Sequence, residues 1–212
     1  MNHLLKFCFL IIFLVTGYEG HAQQKPIPYD SLRTVLEGIY EVDQGIRMKM
    51  GAVKPEDMND FFREMQRVDS VNQVKVLAIL QRYGWLPQSK IGEKAANGLF
   101  FVVQHAPAKV IKQYLPQMQK QVKLGEANKT YAAMMEDRLL MYTGKKQKYG
   151  TQATSMLTED GTMAVWPIKD PVNINKRRKE AGFKDTVEEN AKRMNAKYNP
   201  DEKLPAQPVK FN

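Results

Sequence analysis

The chain has 212 residues, a formal net charge of +9 and one cysteine, which excludes a fold stapled by internal disulfides. A positive chain can attract nucleic acid, anionic glycans or an acidic membrane surface. The basic residues are spread along the whole length, however, and the densest run covers only residues 176–179, so we expect no nucleic-acid partner.

The first 22 residues are typical of an export signal. Residues 1–6 carry a positive charge, residues 7–15 form a short apolar core, and Gly20 and Ala22 are small residues at the positions that a signal peptidase reads. Cleavage after Ala22 removes Cys8 and leaves 190 residues, enough for one domain with its own core. No later apolar stretch approaches about 20 residues, so we predict an exported, periplasmic or secreted product without a transmembrane segment.

Helix start and stop signals divide the next 120 or so residues into helices. Pro55 is a good first-turn residue, and Gly84 is a good terminator. The predicted helical segments run from residue 30 or 31 to about 50, from Pro55 with a restart at Asp69 or Ser70 to Gly84, and over about 91–105, 107–124 and 129–143.

The pattern changes after residue 143. A Glu-Asp-Gly turn at 159–161 separates two segments rich in Thr, Met and Val, which predicts a β-hairpin of about 152–157 and 162–168, with Pro167 keeping its strand at an edge. Asp170 and Pro171 then predict a helix to about 181, and a last helix is predicted over 185–198. The tail, 200–212, is predicted to be disordered. The predicted fold class is therefore mainly α, a helical bundle with a small β-hairpin, in a single domain over residues 23–199.

Two carboxylates interrupt apolar helix faces. Asp43 and Asp137 each have apolar residues three and four positions away along their helices. Burying an unpaired carboxylate costs several kcal/mol, so each should have a partner inside the fold. Arg47 and Arg138 are the obvious candidates.

His105 ends an apolar helix and is the only histidine outside the predicted signal. Gly98 and Ala95 lie on its side of the helix, and their small side chains leave room for a backbone or a ligand to approach. The pattern predicts a core helix whose end places Gln104 and His105 at an interior site. The helix C-terminus and a carboxylate such as Asp43 or Asp137 are expected to raise the pKa of His105.

Several short motifs occur along the chain: Asp43-Gln44 with Arg47, Gly84-Trp85 with Gly92, Gln104-His105-Ala106, Asp137-Arg138, Gln147 with Tyr149-Gly150-Thr151-Gln152, and finally Asp170-Pro171, Arg177-Arg178 and Gly182. Together they resemble an uncharacterised bacterial family classed as a domain of unknown function. The resemblance covers about residues 32–183, with Leu86-Pro87 where the family often has proline directly after Gly-Trp. It implies a shared polar core and no particular activity.

Each polar feature has a structural and a functional interpretation. His105 is either a core histidine bonded to a carboxylate or carbonyl, or a residue that contacts ligand or acts in catalysis. A metal site is disfavoured, because one histidine and two distant aspartates lack the usual ligand spacing. Asp43 with Arg47 favours a structural ion pair, whereas Gln147 and Gln152 belong either to a loop entering the hairpin or to a ligand site.

Three functions remain open at this level. A binding module would use Arg47, Arg138 and His105 to hold a small anionic or peptide-like ligand. A hydrolase or lyase would use His105 as general base, oriented by Asp43 or Asp137. A scaffold would use the same groups to clamp the hairpin to the bundle. The candidate catalytic residues are His105 and Asp137, and the candidate ligand-contacting residues are Asp43, Gln44, Arg47, Gln104, Arg138, Gln147, Tyr149 and Gln152. No cofactor is implied, and the oligomeric state is left open.

Overall fold

A computed structural model describes residues 26–207, so the predicted export signal lies outside the described part of the chain. The described residues form eight α-helices and one two-stranded antiparallel sheet. They are α1 Tyr29–Met48, α2 Met58–Tyr83, α3 Gln88–Ile91, α4 Glu93–Gln104, α5 Ala108–Lys123, α6 Lys129–Tyr142, β1 Ala153–Thr154, β2 Ala164–Val165, α7 Ile174–Glu180 and α8 Val187–Arg193. The predicted mainly α fold with a small hairpin is confirmed. Over residues 26–207 no helix has the length and apolar character to cross a bilayer.

The second helix, α2, is continuous over 26 residues and does not restart within its length. The restart predicted at residues 69 and 70 is wrong, since neither side chain caps a new helix. Asp69 accepts a hydrogen bond from Arg47, and the Ser70 hydroxyl donates to the carbonyl oxygen of Gln66 one turn earlier. Gly84, with φ +71°, ends α2 as predicted.

A glycine also divides the predicted helix over residues 91–105. Gly92 has φ +82° and separates the short α3 from α4. The left-handed backbone at this position is readily adopted by glycine. Because the chain turns at Gly92, α3 and α4 are separate helices. His105 therefore lies at the end of α4, a helix of 12 residues.

The region after α6 has less regular structure than predicted. The strands are two residues each, with Ala153 paired to Val165 and Thr154 to Ala164. Pro171–Asn173 form a 3₁₀ turn ahead of α7, with Asp170 at the N-cap position and Pro171 in the first turn as predicted. The Asp170 carboxylate makes no capping hydrogen bond and instead accepts hydrogen bonds from Asn173 and Arg177.

The end of the described chain also differs in detail. The last helix begins at Val187 after a capping box made by Thr186 and Glu189, two residues later than predicted. Residues 204–207, within the tail predicted to be disordered, line a cavity together with Tyr142 and Trp166.

The hydrophobic core has two parts. The larger part lies among the first six helices, and its fully buried members include Leu36, Val76, Ile91, Leu99 and Met135. The smaller part lies beneath the hairpin and consists of Val165, Ile168, Ile174, Val187 and Ala191. The candidate site residues are carried by α1, by α4 and the residue after it, by α6 and by the loop between α6 and β1.

The closest packing in the bundle is between α1 and α4. A Cβ atom placed on Gly98 would lie only 2.5 Å from the carbonyl oxygen of Leu36, far inside van der Waals contact. The space left by Gly98 is therefore filled by the backbone of α1. This contact brings the faces of α1 and α4 that carry Asp43 and His105 together.

Gly98→Ala is expected to lower the free energy of unfolding by about 1–3 kcal/mol, because the added methyl group overlaps the α1 backbone. Gly38→Ala is the matched control, since a Cβ at Gly38 meets no atom within 4 Å. It should raise the free energy of unfolding by ~0.5–1 kcal/mol, because alanine favours the helix. Denaturant unfolding followed by circular dichroism measures both. Equal effects would contradict close packing at Gly98.

Candidate functional site

A buried carboxylate on α1 is the centre of the first polar cluster. Asp43 has no exposed surface. Its Oδ1 accepts a hydrogen bond from Arg47 Nη1 at 3.0 Å, and Nδ1 of His105 lies 3.4 Å from the same oxygen. Its Oδ2 accepts a hydrogen bond from Gln44 Nε2 at 2.6 Å. Both oxygens are therefore engaged, and the ion pair between Asp43 and Arg47 predicted from their spacing is present.

Arg47 extends this cluster to a third helix. Its Nη2 donates to Oδ1 of Asp69 on α2 at 2.7 Å, so one guanidinium joins carboxylates on α1 and α2. We call Asp43, Gln44, Arg47, Asp69 and His105 the Asp43 cluster. From the sequence, Asp69 is predicted to cap a helix, which is wrong. Its position three and seven residues before the buried Asn72 and Val76 on α2 is the signal that was missed.

Burial and close partners together determine the protonation of His105 and Asp43. Desolvation lowers the pKa of His105 and outweighs the hydrogen bond to Asp43, which raises it. The expectation of a raised His105 pKa is therefore wrong. For Asp43, burial acts to raise the pKa, but His105, Arg47 and Gln44 together hold it below its usual range. A neutral His105 beside an ionised Asp43 places its proton on Nδ1 and leaves a lone pair on Nε2.

His105 is a partly exposed member of this cluster, as are Arg47 and Asp69. Its side chain is 18% exposed, and within residues 26–207 its Nε2 takes part in no hydrogen bond. The ring borders a cavity of about 400 Å³, which we call the His105 cavity. The lining residues are Gln66, Asp69, Ser70, Gln73, His105, Ala106, Pro107, Ala108 and Tyr142. No lysine or arginine is among them.

A second buried carboxylate, Asp137 on α6, has entirely different partners. It accepts hydrogen bonds from the backbone N–H groups of Lys148, Tyr149 and Thr151 at 2.7, 3.1 and 3.1 Å, and from the Thr151 hydroxyl at 3.0 Å. Burial raises the pKa of Asp137 to about 6, although these donors act to lower it. The predicted partner, Arg138, does not pair with it and instead donates to the Tyr142 hydroxyl.

The loop held by Asp137 leads into the hairpin through two glutamines. The Gln147 side chain donates to the carbonyl oxygens of Gln152 and Trp166 at 2.9 and 2.6 Å and accepts from the Gln152 N–H at 2.9 Å. The carbonyl oxygen of Tyr149 accepts a hydrogen bond from the buried Arg178 at 2.6 Å. These contacts clamp the hairpin to the bundle. We call Asp137, Gln147, Tyr149, Thr151 and Gln152 the clamp cluster.

The predicted site residues thus fall into two clusters with different partners. The structure brings Asp43, Gln44, Arg47 and His105 together, whereas Asp137, Gln147, Tyr149 and Gln152 form the clamp. Of the two carboxylates predicted to orient the His105 ring, Asp43 is the one that contacts it. Gln104 and Arg138 belong to neither cluster: Gln104 precedes His105 in the chain, and the charge of Arg138 contributes to lowering the His105 pKa.

The Asp43 cluster also contains the donor types of a metal site. Ligand atoms of Asp43, Asp69 and His105 all lie within 4.8 Å of one another. The Arg47 guanidinium, however, contacts both carboxylates, and its positive charge opposes a second cation at the same oxygens. This arrangement suits an internal ion-pair network.

Comparison with known proteins places the chain in a family. Residues 30–201 match a family of unknown function, DUF6624, and the chain belongs to it. This span contains both the Asp43 cluster and the clamp cluster, and it confirms the resemblance to an uncharacterised family. No curated protein and no solved structure matches the chain.

The pKa of His105 is expected to lie below its ordinary value of about 6.5 and to move in opposite directions in two variants. Asp43→Asn should lower it further, since the carboxylate raises it, and Arg47→Met should raise it, since the guanidinium lowers it. NMR titration of the imidazole measures each value. Arg67→Met, which removes an exposed arginine bonded to Glu64, should leave it unchanged.

The same shift predicts a pH dependence of stability. Below about 6.5 the unfolded chain binds a proton at His105 more readily than the folded chain does. Neutral His105 therefore makes its full contribution to the free energy of unfolding above that pH. This contribution is lost as the pH falls toward the pKa of His105 in the folded chain. A titration of His105 at or above 6.5 would contradict the burial argument.

Proposed function

We propose that the protein is a binding module that holds a small polar ligand in the His105 cavity. One observation carries the proposal: the ring that borders the cavity is fixed at Nδ1 by the buried Asp43, while Nε2 has no protein partner. A neutral imidazole held in this way presents a directed hydrogen-bond acceptor. A ligand hydroxyl or N–H group is its natural complement.

The charge around the cavity favours a neutral or peptide-like ligand over a simple anion. Arg47 is one of the positive groups predicted to hold an anionic ligand, but its guanidinium is already paired with the carboxylates of Asp43 and Asp69. The lining includes the Asp69 carboxylate and no lysine or arginine. Polar groups that fix the ligand's orientation come from Gln66, Gln73 and Ser70, in keeping with small-molecule sites in general.

The proposal includes a cellular setting. The positive, apolar and small-residue segments of residues 1–22 support export to the periplasm or the exterior. The partner would then be a small molecule or peptide of that compartment, and nucleic acid is not among the partners we expect.

Filling the cavity tests the binding proposal. Ser70→Trp places an indole ring in the lining, and it should abolish the ligand-induced rise in unfolding temperature found by screening peptides, cell-wall fragments and sugars. Val71→Trp is the control, because Val71 is 46% exposed, lies on the same helix and is not a lining residue. It should leave the rise intact. A ligand effect that persists in Ser70→Trp would place binding elsewhere, and a screen without any effect would favour the scaffold interpretation.

The Asp43–His105 contact also favours a second function, general-base catalysis. A carboxylate that holds Nδ1 and leaves Nε2 open is the arrangement by which histidine removes a proton from a hydroxyl group or water. In this function a hydrolase or lyase uses His105 as base, and Asp43 fixes its ring. The Ser70 hydroxyl is bonded to Gln66, so water is the reacting group this geometry suits.

Catalysis and simple binding predict different results for one variant. A catalytic His105 gives turnover that rises with pH through an apparent pKa below 6.5, because the base must be neutral. His105→Gln should then eliminate product while leaving the circular dichroism spectrum unchanged. A binding module gives saturable ligand binding and no product in either protein. Chromatographic detection of products from the ligands that bind distinguishes the two.

A further inference from the structure

Two hydrogen-bond acceptors that border the His105 cavity lie close together. His105 and Asp69 are both lining residues, and a ring nitrogen of His105 lies within 4.8 Å of a carboxylate oxygen of Asp69. A donor nitrogen at about 2.9 Å from each of two acceptors spans such a distance. A single ligand group therefore fits between the two side chains.

Asp69 retains the capacity for a second partner. Its Oδ1 accepts the hydrogen bond from Arg47, whereas over residues 26–207 its Oδ2 takes part in no hydrogen bond. The side chain is 19% exposed. A carboxylate accepts hydrogen bonds at both oxygens, so a donor from a ligand binds Asp69 while Arg47 stays in place.

The charge of the cavity wall is negative. Within the Asp43 cluster two carboxylates share one guanidinium, which leaves one negative charge beside a neutral imidazole. Arg138, whose charge also acts on His105, is not a lining residue, and its guanidinium donates to the Tyr142 hydroxyl. The charge that disfavours an anionic ligand therefore favours a cationic one.

Ser70 provides a third acceptor in the lining. Its hydroxyl proton is engaged with the carbonyl oxygen of Gln66, so it offers a ligand the lone pairs of its oxygen. Three acceptors and one negative charge are the complement of an ammonium group, which has three N–H donors and one positive charge. A ligand hydroxyl has one donor and no charge.

We propose that the ligand of the His105 cavity carries a primary ammonium group, which donates hydrogen bonds to Asp69 and to Nε2 of His105. This inference rests on the proposed binding function and names the ligand class. The bond to the carboxylate is charge-assisted and is the stronger of the two. Free amino groups of peptides and of amino sugars are the two sources of such a ligand.

An ammonium group makes smaller demands on the Asp43 cluster than a metal ion. A metal ion would draw on oxygens of both carboxylates, and Arg47 contacts both. The ammonium group needs only Oδ2 of Asp69 and the imidazole. The internal ion pairs of the cluster stay intact when it binds.

Matched small probes test the ligand class. Alaninamide and glucosamine present the ammonium group from a peptide and from a sugar, and both are charged at neutral pH. Their N-acetyl counterparts keep the remaining structure but lack the charge. Titrations follow the NMR signals of the His105 ring, which are identified by their absence in His105→Gln. At least one amine should bind about tenfold more tightly than its acetylated form, and the one that does identifies the source. Equal binding within both pairs, or no shift with any probe, would overturn the inference.

Paired aspartate variants locate the ammonium group. Asp69→Asn keeps an acceptor for Arg47 and removes the charge, so it should weaken binding of the preferred amine about tenfold or more. Asp60→Asn is the control, because Asp60 lies on the same helix, pairs with the exposed Arg63 and does not line the cavity. Equal affinities in the two variants would overturn the assignment to Asp69.

Paired lysine variants give the same answer without altering Asp69. Ser70→Lys places a positive charge in the lining and should abolish binding of the amine by repulsion. Val71→Lys adds the same charge at a neighbouring position that is 46% exposed and outside the lining, and it should leave binding nearly unchanged. Unaltered binding in Ser70→Lys would overturn the inference.

The two proposals fail in different ways. If an uncharged ligand binds, is blocked by Ser70→Trp and is unaffected by Asp69→Asn, the cavity proposal stands and the ammonium inference is wrong. If the amines bind equally well in Ser70→Trp and in the parent, they bind outside the cavity, and the ammonium inference is wrong whatever else the cavity holds.

Discussion

The burial of the Asp43 carboxylate is the constraint on which the arrangement of α1, α2 and α4 depends. A charge removed from water needs opposite charge and hydrogen bonds close to it. Arg47 provides the charge from the same helix, and His105 approaches from the end of α4. Because Arg47 also binds Asp69, the position of α2 follows from the same requirement.

The protein solves the same physical problem a second time by other means. Asp137 has no cationic partner and is surrounded by backbone N–H donors of one loop. That solution fixes the path of the chain, since the donors are available only when the loop has one conformation. Asp43 is held by side chains and leaves a polar ring at a cavity, whereas Asp137 is enclosed. This difference is the reason for proposing a function at the first carboxylate and a structural role for the second.

Much of the helical fold is predictable from local signals, and the sites are only partly so. Proline, glycine and capping residues give the limits of α5 and α6 to within one residue, and the spacing of Asp43 and Arg47 gives their ion pair. Asp69 lies 22 residues from Arg47, and no local pattern joins them. The lowered pKa of His105 depends on burial by the assembled helices. The hairpin is shorter than predicted at both ends. The Gln147 side chain takes the Trp166 carbonyl oxygen and the Gln152 N–H, which a longer ladder would pair, and Ser155–Leu157 form a 3₁₀ turn after β1.

Gly98 determines the distance between His105 and Asp43 as well as the packing of α1 against α4. Nδ1 of His105 is already 3.4 Å from Asp43, at the outer limit of a hydrogen bond. Relieving the contact of an added methyl group with Leu36 would require α1 and α4 to separate by about 1 Å. That separation exceeds what the histidine–aspartate contact can absorb. The smallest side chain in the helix therefore acts as a spacer that determines, from about two turns away, whether the imidazole keeps its tautomer.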